Sequence, residues 1–177
     1  MDKIVRPTLE FGSGSIMVWG CMTWLGVGAL IKIVGNMDAT QYVDILSNGL
    51  LPTITHVSAE PDLPPRHCIT FQQDNDPKHT SRLAMKWFND EDVKVMQWPT
   101  QSPDLNPIEH LWAHLKARLR SYEDAPRGVL ELWQRVKEEW VKIPAQKCQT
   151  LIESMPRRIN AVIKSRGGGA TRDTKLP

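Results

Sequence analysis

The chain has 177 residues, of which 41% are hydrophobic and 24% are charged. This length favours a single domain, and this composition is typical of a globular protein with a packed core, which excludes a disordered or fibrous chain. The net charge is only +2, but residues 156–177 carry six basic side chains and one acidic side chain, which leaves a net −3 on residues 1–155. A basic end on a slightly acidic body predicts contact with a polyanion, although a solvated terminal surface explains the pattern equally well.

Neither the cysteines nor the apolar segments indicate secretion or a membrane. Cys21, Cys68 and Cys148 are widely spaced and form no CxxC pair, which favours reduced thiols in an intracellular protein. The start MDKIVRPTLE lacks the apolar stretch of a signal peptide. The longest apolar run, residues 16–34, is interrupted by glycines and a lysine, so we expect strands there and no membrane partner.

The predicted elements begin after a polar lead-in at residues 1–10. The segments SIMVWGCMTW (15–24) and ALIKIVG (29–35) predict two strands that are joined by the turn LGVG. Asp38 and Gln41 have the spacing of a capping box and predict a helix to about Leu51. The proline-rich residues 55–66 predict a loop.

The next predicted pair is the strand HCITFQQD (67–74) and a helix that starts at Pro77 and continues to about residue 90. The segment VKVMQW (93–98) predicts another short strand. Asn106 and Pro107 predict a helix to about Ser121.

Only helices are predicted after residue 121. The first is amphipathic, and Pro144 and Pro156 separate the two that follow. This order predicts a mixed α/β sheet with flanking helices and a helical C-terminal section. We expect residues 11–121 to form the core, residues 122–166 to form C-terminal helices of the same domain, and residues 167–177 to form a flexible basic tail.

Two carboxylates, Asp74 and Glu109, are the candidate catalytic and metal-binding residues, with 34 residues between them. A strand that ends in Asp74 delivers its carboxylate to the edge of the sheet, and the helix that begins before Glu109 can bring a second carboxylate there. Mg²⁺ and Mn²⁺ prefer such oxygen ligands and support phosphoryl transfer. Each residue also has a structural explanation, because Asp74 can form a turn and Asn106-x-x-Glu109 has capping-box spacing.

Basic side chains near these acids are candidates for contacts with nucleic acid. The candidates are His79, Lys116, Arg118, Arg120, Arg157 and Arg158. The three that follow Glu109 on its helix can track a phosphate backbone or be solvated. His79 can contact a phosphate or cap its own helix.

Several long motifs occur in one order: VWGCMTWLGVG, FQQDNDPKHT, WPTQSPDLNPIEHLW, KEEWVKIP and LIESMPRRINAVIKSRGGGAT. In these motifs the chain closely resembles the catalytic domain of Tc/mariner-superfamily transposases over roughly residues 11–171. The resemblance implies a ribonuclease H-like fold and cut-and-paste DNA transposition by two aspartates and a glutamate that bind Mg²⁺ or Mn²⁺. It implies that Asp74 is the second aspartate and Glu109 the glutamate. It also implies that the partner is DNA, that the protein is nuclear, that it has no small-molecule substrate, and that a homodimer is possible.

The sequence departs from this family at its start. MDKIVRP does not resemble the first-strand motif that carries the first aspartate, and the upstream helix-turn-helix region has no counterpart. We therefore expect a fragment that is truncated at the N-terminal strands, with weakened metal binding and with residues 15–24 exposed as a sheet edge. Two functions stay open: metal-dependent DNA strand cleavage and strand transfer, or a catalytically inactive nucleic-acid-binding module derived from a transposase.

Overall fold

The computed structural model describes residues 8–11, 14–97 and 105–164. An antiparallel sheet contains β1 (Thr8–Phe11), β2 (Gly14–Thr23) and β3 (Gly26–Ile33) in that spatial order, and a separate parallel pair contains β4 (Thr70–Phe71) and β5 (Lys94–Val95). The helices are α1 (Ala39–Ile45), α2 (Leu51–Ser58), α3 (Arg82–Asp90), α4 (Ile108–Arg120), α5 (Val129–Val141), α6 (Ala145–Glu153) and α7 (Met155–Lys164). Within the described ranges, each helix is too short or too polar to cross a bilayer.

The hairpin of β2 and β3 confirms the two strands predicted from the sequence. Its register runs from Met17 opposite Ile33 to Thr23 opposite Gly26, with an irregularity between Gly20 and Met22. Gly26 ends the turn with φ +125°, a conformation that side-chain-bearing residues rarely adopt. The turn lies at Trp24–Leu25, earlier than the predicted turn at residues 25–28, and β3 begins at Gly26.

The prediction of a polar lead-in at residues 1–10 is wrong for residues 8–10, because β1 pairs with Gly14–Met17 of β2. Leu9 is fully buried, so this one apolar side chain anchors a strand that is too short to show an alternating pattern. The expected exposed edge of β2 is therefore covered as far as Met17. Beyond Met17, β2 pairs only with β3 among the described strands.

The first helical segment is longer than the predicted one. Asp38 Oδ1 accepts a hydrogen bond from the backbone N of Gln41 at 2.8 Å, as the capping box predicts, but Gln41 Nε2 donates to the carbonyl of Val34 at 3.1 Å. After α1 the chain continues through a π-helical turn at Leu46–Leu50 into α2, so the predicted loop begins too early. Pro52, which has no N–H to donate, is tolerated because it lies in the first turn of α2, after this irregular turn.

The segment between α2 and α3 is less regular than predicted. A single 3₁₀ turn at Arg66–Cys68 precedes β4, so only two residues of the predicted strand 67–74 pair with another strand. Helix α3 begins after Ser81, whose hydroxyl accepts a hydrogen bond from the backbone N of Ala84 at 3.2 Å. The predicted start at Pro77 is therefore wrong, because the serine provides the stronger cap.

Helices cover both faces of β2. Ile16 and Val18 belong to a core cluster that includes side chains of α4, α5 and α6, whereas Met17 and Trp19 pack against a second cluster that includes side chains of α1 and α3. Alternate residues of a strand point to opposite faces, so the sheet lies between two helical layers. Trp112 and Trp140 belong to the first cluster, where their rings stack with centroids 5.0 Å apart.

Candidate metal and nucleic-acid site

Asp74 lies in the loop that follows β4. Its Oδ1 accepts a hydrogen bond from the backbone N of Asp76 at 3.1 Å and lies 2.5 Å from His79 Nδ1. Partial burial would raise the pKa of Asp74, but the His79 contact, the Asp76 amide and the charge of Lys78 together lower it below its ordinary value. Asp74 is therefore both a turn former and an ionised carboxylate at neutral pH, and the two explanations of this residue are compatible.

His79 is held in place by residues from α1 and from the same loop. Its ring centroid lies 4.2 Å from that of Tyr42, which is fully buried. The Tyr42 hydroxyl donates to Gln73 Oε1, and Gln73 Nε2 donates to the backbone carbonyl of His79 at 3.3 Å. Burial and the charges of Asp74 and Asp76 raise the pKa of Tyr42, so the phenol remains a donor. The contacts of Tyr42 and Gln73 thus fix the imidazole beside the Asp74 carboxylate.

A second acidic residue of the same loop, Asp76, has a structural role. Asp76 is only 5% exposed, and its Oδ1 accepts hydrogen bonds from the backbone N of Lys78 at 2.9 Å and from Lys78 Nζ at 3.2 Å. Its carbonyl accepts from the backbone N of His79 at 2.9 Å and of Thr80 at 3.1 Å. A buried carboxylate needs such compensation, so Asp76 stabilises the turn in which Asp74 and His79 meet.

Glu109 lies in the first turn of α4, where the helix dipole favours a negative charge. The start of this helix has no side-chain capping hydrogen bond, and no described residue hydrogen bonds the Glu109 carboxylate, so the capping-box explanation is not realised. Burial raises the pKa of Glu109; the charge of Lys116 opposes this shift and the charge of Asp74 adds to it. A carboxylate that has no hydrogen bond and is repelled by a second carboxylate nearby is a candidate ligand for a cation.

Asp74 and Glu109 line the same cavity, which has a volume of about 420 Å³. Side chains of β2, α2 and α4 form much of its apolar wall, among them Trp19, Ile54 and Trp112. His79 and Gln73 also line the cavity, on the side of the loop after β4. Folding therefore brings the two predicted ligands to one opening. Across the described ranges, no group of three or more His, Cys, Asp or Glu side chains is placed to hold a metal.

The predicted nucleic-acid residues lie in different environments. The charge of Lys116 reaches Glu109, whereas Arg118 Nε donates to Glu139 Oε2 at 2.9 Å. Arg120 and Arg157 are exposed, and Arg158 contacts His110. His79 has a side chain that is only 15% exposed and faces Asp74. Of the six predicted residues, His79 contacts Asp74 directly, and Lys116 acts on Glu109 only through its charge.

The family described as DDE superfamily endonuclease matches residues 13–127, which is more than half of the chain. The chain belongs to the DDE endonuclease superfamily. This match confirms the family resemblance drawn from the motifs. The two candidate carboxylates lie inside the matched range.

Curated relatives are transposases of nematode transposable elements. The chain is 44% identical over 161 residues to the Tcb1 transposase of Caenorhabditis briggsae, covering 91% of this chain and 56% of that protein. It is 43% identical over 170 residues to the Tc1 transposase of Caenorhabditis elegans, covering 93% and 57%. The chain therefore spans about half the length of the curated relatives it matches.

Solved structures of Mos1 transposase share the fold. The Mos1 catalytic domain with raltegravir and Mn aligns with a TM-score of 0.80 at 20% identity, covering 93% of this chain and 81% of that one. A Mos1 mariner paired-end complex with Mn aligns with a TM-score of 0.74 at 19% identity, covering 94% and 46%. These likenesses confirm the predicted ribonuclease H-like fold.

Sequence reasoning missed the residues that hold the site in shape. Tyr42, Gln73 and Lys78 were not predicted as site residues. For Gln73 and Lys78 the only available signal was their position in FQQDNDPKHT. Tyr42 gives no signal at all, because its contact with Gln73 joins residues 31 positions apart.

Proposed function

We propose that this chain supplies two carboxylate ligands of a divalent-metal centre that acts in DNA strand cleavage and strand transfer, as part of a Tc1-type transposase. The observation that carries the proposal is that Asp74 and Glu109 line one cavity although 34 residues separate them in the sequence. Membership of the endonuclease superfamily and the transposase relatives support DNA as the substrate.

Asp74 and Glu109 fit Mg²⁺ or Mn²⁺ as ligands. Both are carboxylates, the pKa of Asp74 is lowered by its neighbours, and Glu109 has no hydrogen bond with a described residue. Mos1 structures solved with Mn and with Mg support this choice of metal. When bound, such a cation polarises a phosphate and activates an oxygen nucleophile. With two carboxylates the expected affinity is weak, with a Kd of about a millimolar.

The other residues of the site have positioning and binding roles in this proposal. His79 orients the Asp74 carboxylate through Nδ1 and is itself fixed by Tyr42 and Gln73. Lys116 lies about two turns after Glu109 on the same face of α4, and in this proposal it contacts a phosphate near the acids. Arg120 and Arg157 offer exposed charges for the DNA backbone, whereas Arg118 also holds Glu139.

Mn²⁺ titration calorimetry tests the metal centre. We expect the unmodified chain to bind Mn²⁺ weakly, and we expect Asp74→Asn and Glu109→Gln each to reduce the affinity by about tenfold or more, because each removes a charged ligand. Asp44→Asn is the matched control, since Asp44 is exposed on α1 and does not line the cavity. Equal Mn²⁺ binding by all four proteins would defeat the assignment.

Nicking of supercoiled plasmid in Mn²⁺ tests the reaction. Cleavage that disappears in Asp74→Asn and persists in Asp44→Asn supports a nuclease centre. DNA binding without cleavage, at Mn²⁺ concentrations that saturate the site, supports the inactive binding module instead. Lys116→Ala is expected to weaken DNA binding for all sequences and to reduce its dependence on salt.

A further inference from the structure

Helices α4, α5 and α6 bring basic side chains to one rim of the first core cluster. Leu115 of α4, Val136 of α5 and Cys148 of α6 are buried together in that cluster. Polar residues next to these core side chains in the sequence act on one another by charge across the three helices. We call three of them the basic rim: His114 and Arg118 on α4, and Lys147 on α6.

Positive charge exceeds negative charge at this rim. Arg118 Nε and Lys142 Nζ both donate to the carboxylate of Glu139, each at 2.9 Å. The charge of Glu138 also acts on Lys142, so Lys142 is balanced by two acids. Lys147 makes no ion pair with any residue that the structure describes. The excess positive charge is therefore carried by Arg118 and Lys147.

Arg118 is held at one nitrogen and has its other donors available. Only its Nε is engaged by Glu139, and within the described ranges Nη1 and Nη2 donate to no other group. Its side chain is 53% exposed. A guanidinium that is fixed in this way presents the planar pair of Nη1 and Nη2, whose geometry matches two oxygens of one phosphate.

His114 lies beside both cations. Burial lowers the pKa of His114, the charges of Lys147 and Arg118 lower it further, and the charge of Glu139 opposes them. The imidazole is therefore neutral at neutral pH and carries one ring N–H. It has no hydrogen bond with a described residue. A histidine whose pKa is lowered by neighbouring cations indicates a positive local potential, which a bound anion would offset.

The basic rim and Glu109 lie on different flanks of α4. At about 100° per residue, Arg118 lies about 180° around the helix from Glu109 and His114 about 140°, whereas Lys116 is within about 20° of Glu109. Arg118 is also about 13 Å further along the helix axis than Glu109. A phosphate at the metal centre and an anion at the basic rim are therefore separate groups.

We propose that the basic rim is a second binding site for a phosphate group, in which Arg118 donates from Nη1 and Nη2, Lys147 from its ammonium, and His114 from a ring N–H. Free phosphate and a backbone phosphate of DNA have the same chemistry at such a site. We assign the phosphate to DNA, an assignment that rests on the proposed function. The site itself needs neither the two carboxylates nor a metal.

NMR of the His114 imidazole in the full chain, without metal, tests the site. The probes are inorganic phosphate and, separately, a short DNA duplex. We expect each to shift the His114 ring resonances and to raise the pKa of His114, because the negative charge offsets that of Lys147 and Arg118. Acetate at the same ionic strength is the control. An equal response to acetate would overturn the assignment to phosphate.

Two substitutions connect this response to the donors. Lys147→Gln removes a charge that has no described ion pair, and it is expected to weaken phosphate binding at least about fivefold and to lower the salt slope of duplex binding by about one. Arg118→Lys keeps the charge but loses the planar pair of donors, so it is expected to weaken binding as well. Lys94→Gln is the matched control, because Lys94 is exposed on β5 and lies outside the rim.

The outcomes separate the source of the phosphate and the two proposals. A His114 response to both probes supports the assignment to DNA, whereas a response to free phosphate alone keeps the site and removes DNA as its source. Duplex binding that leaves His114 unchanged, no response to either probe, or equal effects of Lys147→Gln and Lys94→Gln would overturn the site. A chain that shows the His114 response but binds no Mn²⁺ would defeat the metal centre alone, and the reverse result would defeat the basic rim alone.

Discussion

Glu139 on α5 is buried and hydrogen bonded to Arg118 of α4, to Tyr122 and to Lys142. Its substitution by glutamine tests the packing between α4 and α5. The side chain is only 3% exposed and accepts hydrogen bonds from Lys142 Nζ at 2.9 Å, Arg118 Nε at 2.9 Å and the Tyr122 hydroxyl at 3.0 Å. These donors, with Lys142 first among them, lower the pKa of Glu139 to about 2 against the effect of burial.

The size of the effect follows from this pKa. A depression from 4.5 to about 2 corresponds to at most about 3 kcal/mol of folding free energy. Because the side chains of Arg118 and Lys142 are 53% and 57% exposed, solvent screening reduces this to about 1–2 kcal/mol. The folded-state pKa is depressed, so the stabilisation is fully present above the unfolded pKa near 4.5 and is lost as the pH falls toward 2.

Urea unfolding followed by tryptophan fluorescence measures this dependence, since Trp112 and Trp140 stack in the adjacent core. We expect Glu139→Gln to lower the free energy of unfolding by about 1–2 kcal/mol at neutral pH, with the difference from the unmodified chain shrinking as the pH falls through the range from about 4.5 to 2. Glu138→Gln is the matched control, because Glu138 is the exposed neighbour and, among the described residues, its side chain accepts a hydrogen bond only from Gln134 Nε2, at 2.8 Å. If Glu139→Gln lowered the free energy of unfolding by the same amount at low and neutral pH, the charge-based explanation would be refuted.

Three further substitutions test the site and the fold. His79→Leu removes the donor to Asp74, so Mn²⁺ affinity measured by calorimetry is expected to fall about tenfold while the chain stays folded. Gly20→Val places a Cβ 2.8 Å from Cη2 of Trp112, and thermal unfolding is expected to show a loss of about 1–3 kcal/mol. Ser81→Ala removes the cap of α3 and is expected to cost about 1 kcal/mol in urea unfolding.

Each of these has a control in the same chain. His56→Leu tests whether loss of any imidazole lowers Mn²⁺ affinity, because His56 is exposed on α2. Gly35→Val is the control for Gly20→Val. A Cβ at Gly35 meets nothing within 4 Å, so any loss of stability there comes from the φ of +71° and not from a steric clash. Ser121→Ala removes a hydroxyl at the end of α4, where it donates to the Arg118 carbonyl. Mn²⁺ affinity that is equal in His79→Leu and the unmodified chain would remove the positioning role of His79.

Local patterns predicted most elements but misplaced several of their ends. The hairpin of β2 and β3 and the helix after Pro107 depend on turn residues and on helical spacing, which are visible in the sequence. The start of α3 was misplaced because Pro77 and Ser81 both signal a helix start, and only the hydrogen bond to Ala84 decides between them. Strand β1 was missed because its stability depends on pairing with β2 and on the burial of Leu9.

The sequence by itself determined the family and the two candidate acids, because motif order and residue spacing are properties of the chain. Tertiary structure decided what those acids contact. The pKa of Asp74 is lowered because His79, the Asp76 amide and Lys78 are folded near it, and the pKa of Glu109 is raised because burial and the Asp74 charge act on it. The pairing of β1 with β2 and of β4 with β5 was likewise invisible in the sequence, since strand pairing depends on which segments lie side by side after folding.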